Sequence, residues 1–223
     1  MPRATDAKEK LLAAALDLIW SSSYGTVGVE DICIQAGVRK GTFYHFFPSK
    51  ADLAVAAYEA HWREVEPLFE AAFAADIPPL DRLTRWCGMI CEKQMELYEK
   101  YGHVPGCPFA NVGSELGTQD EKLRRKSAEM IECGMRYVET AIGDAVRAKL
   151  LPKQDVRETA EAVAACVLGQ MLHAKILNEP GMLRDLDRIV MQQLGIAALP
   201  KSSSSPSKSK PARSPRKPRT TAA

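Results

Sequence analysis

Residues 29–52 read VEDICIQAGVRKGTFYHFFPSKAD. Val29, Ile32, Cys33 and Ala36 recur at i, i+3, i+4 and i+7, the single apolar stripe of a short helix. Gly37-Val38 breaks that helix, and glycine tolerates the positive φ that a sharp corner often needs. A second short helix is predicted from Lys40 to Phe46. Phe43, Phe46 and Phe47 share one inward face, while Gly41 and His45, flanked by Thr42 and Tyr44, lie on the other. Pro48 stops the helix, and Ser49-Lys50-Ala51-Asp52 has the Ser-x-x-Asp form of a capping box that opens the next one.

Two short helices joined by a tight glycine turn, the second with a polar and basic outer face, have the sequence form of a helix-turn-helix. A small helical hairpin without further role has the same periodicity, so the pattern by itself leaves both readings open. The run AGVRKGTFYHFFPSKADL, Ala36 to Leu53, resembles the recognition helix and following linker of the TetR (AcrR-like) family of bacterial one-component transcription regulators. The likeness continues upstream through Val29, Asp31 and Ile32 and is close over about the first sixty residues. Beyond that it is a likeness of general layout.

The resemblance implies an all-α protein: a three-helix helix-turn-helix domain over residues 1–50, then a helical ligand-binding and dimerisation domain over residues 51–199. It also implies a homodimeric repressor on a palindromic double-stranded operator, released by a small-molecule effector. Arg39, Lys40, Gly41, Thr42, Tyr44, His45 and Lys50 are the residues it would place at the DNA. Two positions depart from the common family form. Val27-Gly28 stands where a capping hydroxyl is usual, and Arg39 replaces the serine that often precedes Lys-Gly-Thr. Arg39 can reach a phosphate or a guanine edge, so it is expected to shape operator preference. The competing class is a ligand-binding or interaction protein of the same fold without specific DNA binding.

Composition sets the outer bounds. At 223 residues the chain can hold one sizeable core or two modest domains, and its 46% apolar content is ordinary for a folded protein. No apolar stretch approaching the ~18 residues of a membrane span is evident, and no signal peptide opens the chain, so a cytoplasmic protein is expected. The six cysteines are scattered through helical patterns and read as reduced thiols. Seven positive charges and no acid fall in residues 201–223, so the first 200 residues carry a net charge of −5 against +2 for the whole chain. DNA affinity must therefore come from locally placed charge. The tail, residues 200–223, is basic and low in complexity, and is expected to stay disordered.

Along the rest of the chain a first helix is predicted from Ala7 to Trp20 on Leu11, Leu12, Ala15, Leu18 and Ile19. A fourth runs from Asp52 to Glu66-Pro67, and residues 69–75 continue helically up to the break at Asp76-Ile77-Pro78-Pro79. Long helices follow over Leu80 to Tyr101 and Thr118 to Lys149, and a last pair over Asp155 to Ile176 and Met182 to Leu194. The stretch AEAVAACVLGQMLHAKIL within that pair is apolar on nearly every side, as a buried core helix or a subunit interface would be. In the family's layout the last two helices pair with their copies in the dimer.

The unusual stretch of the body is residues 101–117, YGHVPGCPFANVGSELG, where two prolines and two glycines before Phe109 forbid a continuous helix. A loop of small residues between long helices is a place for a cavity. Trp86, Ile90, Cys107, Phe109, Asn111, Tyr137 and His173 are expected to line it. Some family members that sense electrophiles carry a similar Gly-Cys-x-x-x-Asn segment, here Gly106 to Asn111. Cys107 near a helix start would have its thiolate favoured by the helix dipole; a packed, inert thiol is the other reading. Cys87-x3-Cys91 and His103-x3-Cys107 have spacings open to zinc, but Cys87 and Cys91 sit on an apolar helix stripe where a cysteine serves as a small hydrophobe. No metal or cofactor is expected. No Ser-His-Asp ordering, phosphate loop or close carboxylate pair stands out, so no enzyme is expected either.

Overall fold

The computed structural model of the protein describes residues 4–196, and within them every regular element is helical. The basic tail lies outside the described residues, as do residues 1–3. Three helices form the head: α1 (Ala4–Ser21), α2 (Val29–Ala36) and α3 (Lys40–Phe46). Then come α4 (Lys50–Ala72), α5 (Pro79–Tyr101), α6 (Pro108–Leu116), α7 (Glu121–Arg147), α8 (Val156–Leu177) and α9 (Leu186–Gln193).

The head folds on the stripes read from the sequence. Leu11, Ile32, Cys33, Ala36, Phe43, Phe47 and Leu53 make one buried cluster, with Phe43 and Leu53 fully inaccessible. Phe46 is only half-buried at its edge. With no hydroxyl at Gly28, α2 is started by Asp31, whose carboxylate accepts the Gly28 N–H at 2.7 Å. Gly37 ends α2 at φ 64°, its N–H turned back to the carbonyls of Cys33 and Ile34. A Cβ placed there would meet no atom within 4 Å, so Gly37→Ala should cost only the left-handed conformation, about 1–2 kcal/mol in a thermal melt.

Ser49 caps α4 as expected: its Oγ accepts the Asp52 N–H at 3.1 Å and donates to the Asp52 carboxylate at 2.6 Å. From there α4 runs unbroken to Ala72 through Pro67, where an interruption was expected. The proline leaves the Arg63 carbonyl without its helical donor, but Arg63 is exposed, so water can take that bond. A second buried cluster, including Ile19, Ala54, Tyr58, Phe109, Leu123 and Met130, joins the head to α6 and α7. The largest cluster lies in the body between α5, α7, α8 and α9.

Two expectations for the end of the chain change. The segment from Met182 is not one helix; residues Pro180–Asp185 form a 3-10 turn and α9 starts at Leu186. Helix α8, at 22 residues with a window of mean hydropathy 1.3, is long and apolar enough to cross a membrane by length and composition, which the sequence reading did not anticipate. It buries a single stripe, Ala160, Val163, Val167, Met171 and Ala174, against the body. Leu172, Ile176 and Leu177 on its other side remain exposed.

Candidate nucleic-acid interface and ligand cavity

Helix α3 is fixed from below by Phe43 and Phe47, so its upper face is set by rigid packing. Arg39, Lys40, Gly41, Tyr44 and His45 are exposed there, and Thr42 is half-buried. Among the described residues no hydrogen bond or ion pair engages the side chains of Arg39, Lys40, Thr42, Tyr44 or His45. The backbone of α3 begins at Arg39, whose carbonyl accepts the N–H groups of Thr42 and Phe43 at 2.8 and 3.2 Å. No acid lies on α3. A cluster of unpaired donors around an open glycine is suited to the acceptor-rich edge of a groove and its phosphates.

Lys50 does not join that face. Its ammonium donates to the carbonyls of Tyr24 and Val27, both at 2.8 Å, and sits 3.9 Å from the centre of the Tyr24 ring. Burial pulls its pKa below the ordinary lysine value. The side chain therefore pins the loop between α1 and α2, which carries carbonyls that no other donor would satisfy in the interior.

A cavity of about 880 Å³, open to solvent at its rim, lies between α1, α4, α5, α6, α7 and α8. Of the residues expected there, Trp86, Ile90, Cys107 and Phe109 line it. Asn111 does not: its Nδ2 donates to the Pro105 carbonyl at 2.7 Å and braces the loop. Tyr137 belongs to a smaller pocket of about 390 Å³ on the far side of α7, packed 5.5 and 5.6 Å from the rings of Phe69 and Phe73. His173 is exposed on the outer side of α8. The sequence reading missed Trp20, His61, Trp62, Val65 and Phe69. Four of them form a stripe on α4, at 61, 62, 65 and 69, whose helical spacing was available as a signal.

The loop over the cavity is braced by buried and half-buried amides. Gln94, 3% exposed, receives the Gly106 N–H at 3.0 Å and donates to the Gly106 carbonyl at 3.2 Å. Asn178 at the end of α8 accepts the Val104 N–H at 2.9 Å. Cys107 caps α6, but burial pushes its thiol pKa up, and the nearby N–H groups of Ala110 and Phe109 do not offset that. Desolvation thus outweighs the helix-end effect, which supports the packed, inert reading of this thiol. At neutral pH, Cys107 should be alkylated by iodoacetamide more slowly than free cysteine, measured by mass spectrometry of its peptide. Burial also pushes the Cys87 thiol up, to about 12. Among the described residues no three His, Cys, Asp or Glu side chains gather as a metal-binding group.

Head and body are tied by polar contacts. Asp17 of α1 accepts hydrogen bonds from Lys100, from the Tyr101 hydroxyl at 2.6 Å, and from Gln35 at 2.7 Å. Burial alone would raise its pKa, but those three donors together hold it below the usual carboxylate range. Glu115 of α6 accepts the Ser23 hydroxyl at 2.6 Å and the Gly25 N–H at 2.8 Å. The Tyr58 hydroxyl donates to the Pro108 carbonyl at 3.0 Å. Movement of α5 or α6 around a ligand would reach α1 and the α1–α2 loop directly.

Comparison with known proteins agrees with this layout at both ends of the chain. Residues 11–57 match the family model for bacterial regulatory proteins, tetR family, and residues 79–190 that for a tetracyclin repressor-like C-terminal domain. The chain is similar to the transcriptional regulator AcuR of Cereibacter sphaeroides, 31% identical over 84% of each chain. It is 26% identical to the transcriptional repressor NemR of Escherichia coli, over 53% of this chain and 58% of that one. Among solved structures it is similar to a regulatory protein TetR from Rhodobacter sphaeroides, with a TM-score of 0.74 and 29% identity over 84% of this chain and 98% of that chain. The chain belongs to the tetR family of bacterial regulatory proteins, and it is a DNA-binding transcriptional regulator.

Proposed function

We propose that the protein is a homodimeric cytoplasmic repressor that binds a palindromic operator and is released from it by a small molecule in the body cavity. The observation that carries this reading is the unpaired upper face of α3, where Arg39, Lys40, Thr42, Tyr44 and His45 surround the open backbone at Gly41. Two such faces, one per subunit, would enter successive major grooves about 34–36 Å apart. The exposed Leu172, Ile176 and Leu177 of α8 supply an apolar surface for the partner subunit, with α9 beside it. Cavity residues from α1 and α4 give the ligand contact with the helices that carry the head, so a ligand that prefers one head position shifts the equilibrium between two states. The seven cations of residues 201–223 would add phosphate attraction that weakens steeply with salt.

A gel shift with the DNA flanking the protein's own gene tests the reading. Binding of one dimer to a palindrome supports it. Failure to prefer that DNA over a scrambled duplex would leave a ligand-binding protein of the same fold.

A further inference from the structure

The chain has three tryptophans, Trp20, Trp62 and Trp86, and all three line the body cavity. Met89, Met130, Met135 and Met171 contribute further wall, and methionine side chains adapt to ligand shape. The volume of about 880 Å³ is in the range of sites for drug-sized ligands.

Few polar groups in this cavity are free, and the buried Trp20 indole N–H, a donor only, is one of them. Gln94 is committed to both polar atoms of Gly106, and the Cys107 thiol stays protonated because burial pushes its pKa up. His61 differs. Its imidazole packs edge-on at 4.9 Å from the Trp20 ring and at 6.0 Å from the Phe109 ring, and no hydrogen bond from the described residues reaches its nitrogens. Burial, reinforced by the nearby Lys93 ammonium, pulls its pKa down to about 4. A neutral imidazole offers one N–H donor and one acceptor nitrogen.

Charge decides what can use that group. The cavity's ionised side chains are Glu64, Glu92, Glu96 and Lys93, and the three carboxylates are exposed at the rim. Lys93 is half-exposed and bonded to Glu96 at 3.0 Å. An anion entering the cavity would lose its hydration, pass a net negative rim and find no buried cation to compensate.

Taking the cavity as the effector site proposed above, we propose that it admits an uncharged, largely apolar ring-bearing molecule whose single polar group, a hydroxyl or carbonyl, pairs with the His61 imidazole. Carboxylate ligands are rejected.

The test uses three probes of one skeleton: butylbenzene, para-butylphenol and para-butylbenzoate. Each is titrated into the full chain at neutral pH and followed by tryptophan fluorescence. The phenol should bind about fivefold more tightly than the hydrocarbon, one net hydrogen bond's worth, and at least about tenfold more tightly than the benzoate. In His61→Leu the hydrocarbon should still bind, which shows the cavity intact, while the phenol's advantage falls below about twofold. Benzoate binding as tight as the phenol's overturns the assignment. So does a phenol advantage that survives in His61→Leu, or failure of all three to bind. A gel shift with each probe separates this from the effector reading. The expected binding order without operator release supports the ligand class and removes the effector role; release by the benzoate alone does the reverse.

Discussion

Replacing Gly41 with leucine is expected to lower operator affinity by about a hundredfold while leaving the protein at least as stable as before. A Cβ at Gly41 meets nothing within 4 Å, so the folded head has room for the side chain. Removing a glycine from a helix is worth up to about 1 kcal/mol in favour of the fold. The outside of α3 offers no such room once DNA is present. A helix with its side chains is about 10–12 Å across, and the major groove is about 12 Å wide, so little slack remains. In the proposed complex, leucine at position 41 would lift Lys40, Tyr44 and His45 away from bases and phosphates together. A loss of about 1.4 kcal/mol in each of two half-sites already amounts to a hundredfold. A thermal melt and an operator titration on the same sample separate the two effects. Affinity within threefold of the parent would mean that this face of α3 does not enter the groove.

How much of this could be read in advance differs sharply between head and body. The bounds of α2 and α3 came from local signals: an apolar stripe, a glycine, a proline and a capping serine, each acting within a few residues. Arg39, Lys40, Gly41, Tyr44 and His45 stand exposed for the same reason, since an inward Phe43 fixes where its neighbours point. The placement of Lys50 depends on two carbonyls more than twenty residues upstream, which no local pattern reveals. The cavity is a harder case, since six helices line it. On α8, apolar residues all round conceal which face turns inward, and His173 fell on the wrong one. Cys107 is a different case. Its place at a helix start was legible, but the burial that decides its pKa is a property of the assembled body.

Arg82 had no sequence signal at all, yet its replacement by methionine is expected to cause a large loss of stability. Its side chain is 6% exposed. From the first turns of α5 its Nε donates to the Ile77 carbonyl at 2.8 Å and an Nη to the Ala75 carbonyl at 2.9 Å. The other Nη reaches the Asp144 carboxylate on α7 at 2.5 Å. One guanidinium thus closes the corner between α4 and α5, where prolines prevent the chain from satisfying itself, and ties that corner to α7. Methionine fills a similar volume but leaves two carbonyls and a carboxylate without their donor. Breaking a buried pair from one side typically costs about 3–5 kcal/mol. Asp144 keeps a second partner in Arg147, so the lower end, about 3 kcal/mol, is expected here. For a chain of this length that corresponds to a fall in melting temperature of roughly 6–12 °C. Arg82→Lys, with one cation but no fork, should fall between the two. The head has its own buried cluster, without Arg82, so operator binding well below the melting temperature should persist in both variants. A melting temperature within about 2 °C of the parent for Arg82→Met would mean that water replaces the guanidinium at this corner, and that the α4–α5 junction is not what holds α7 in place.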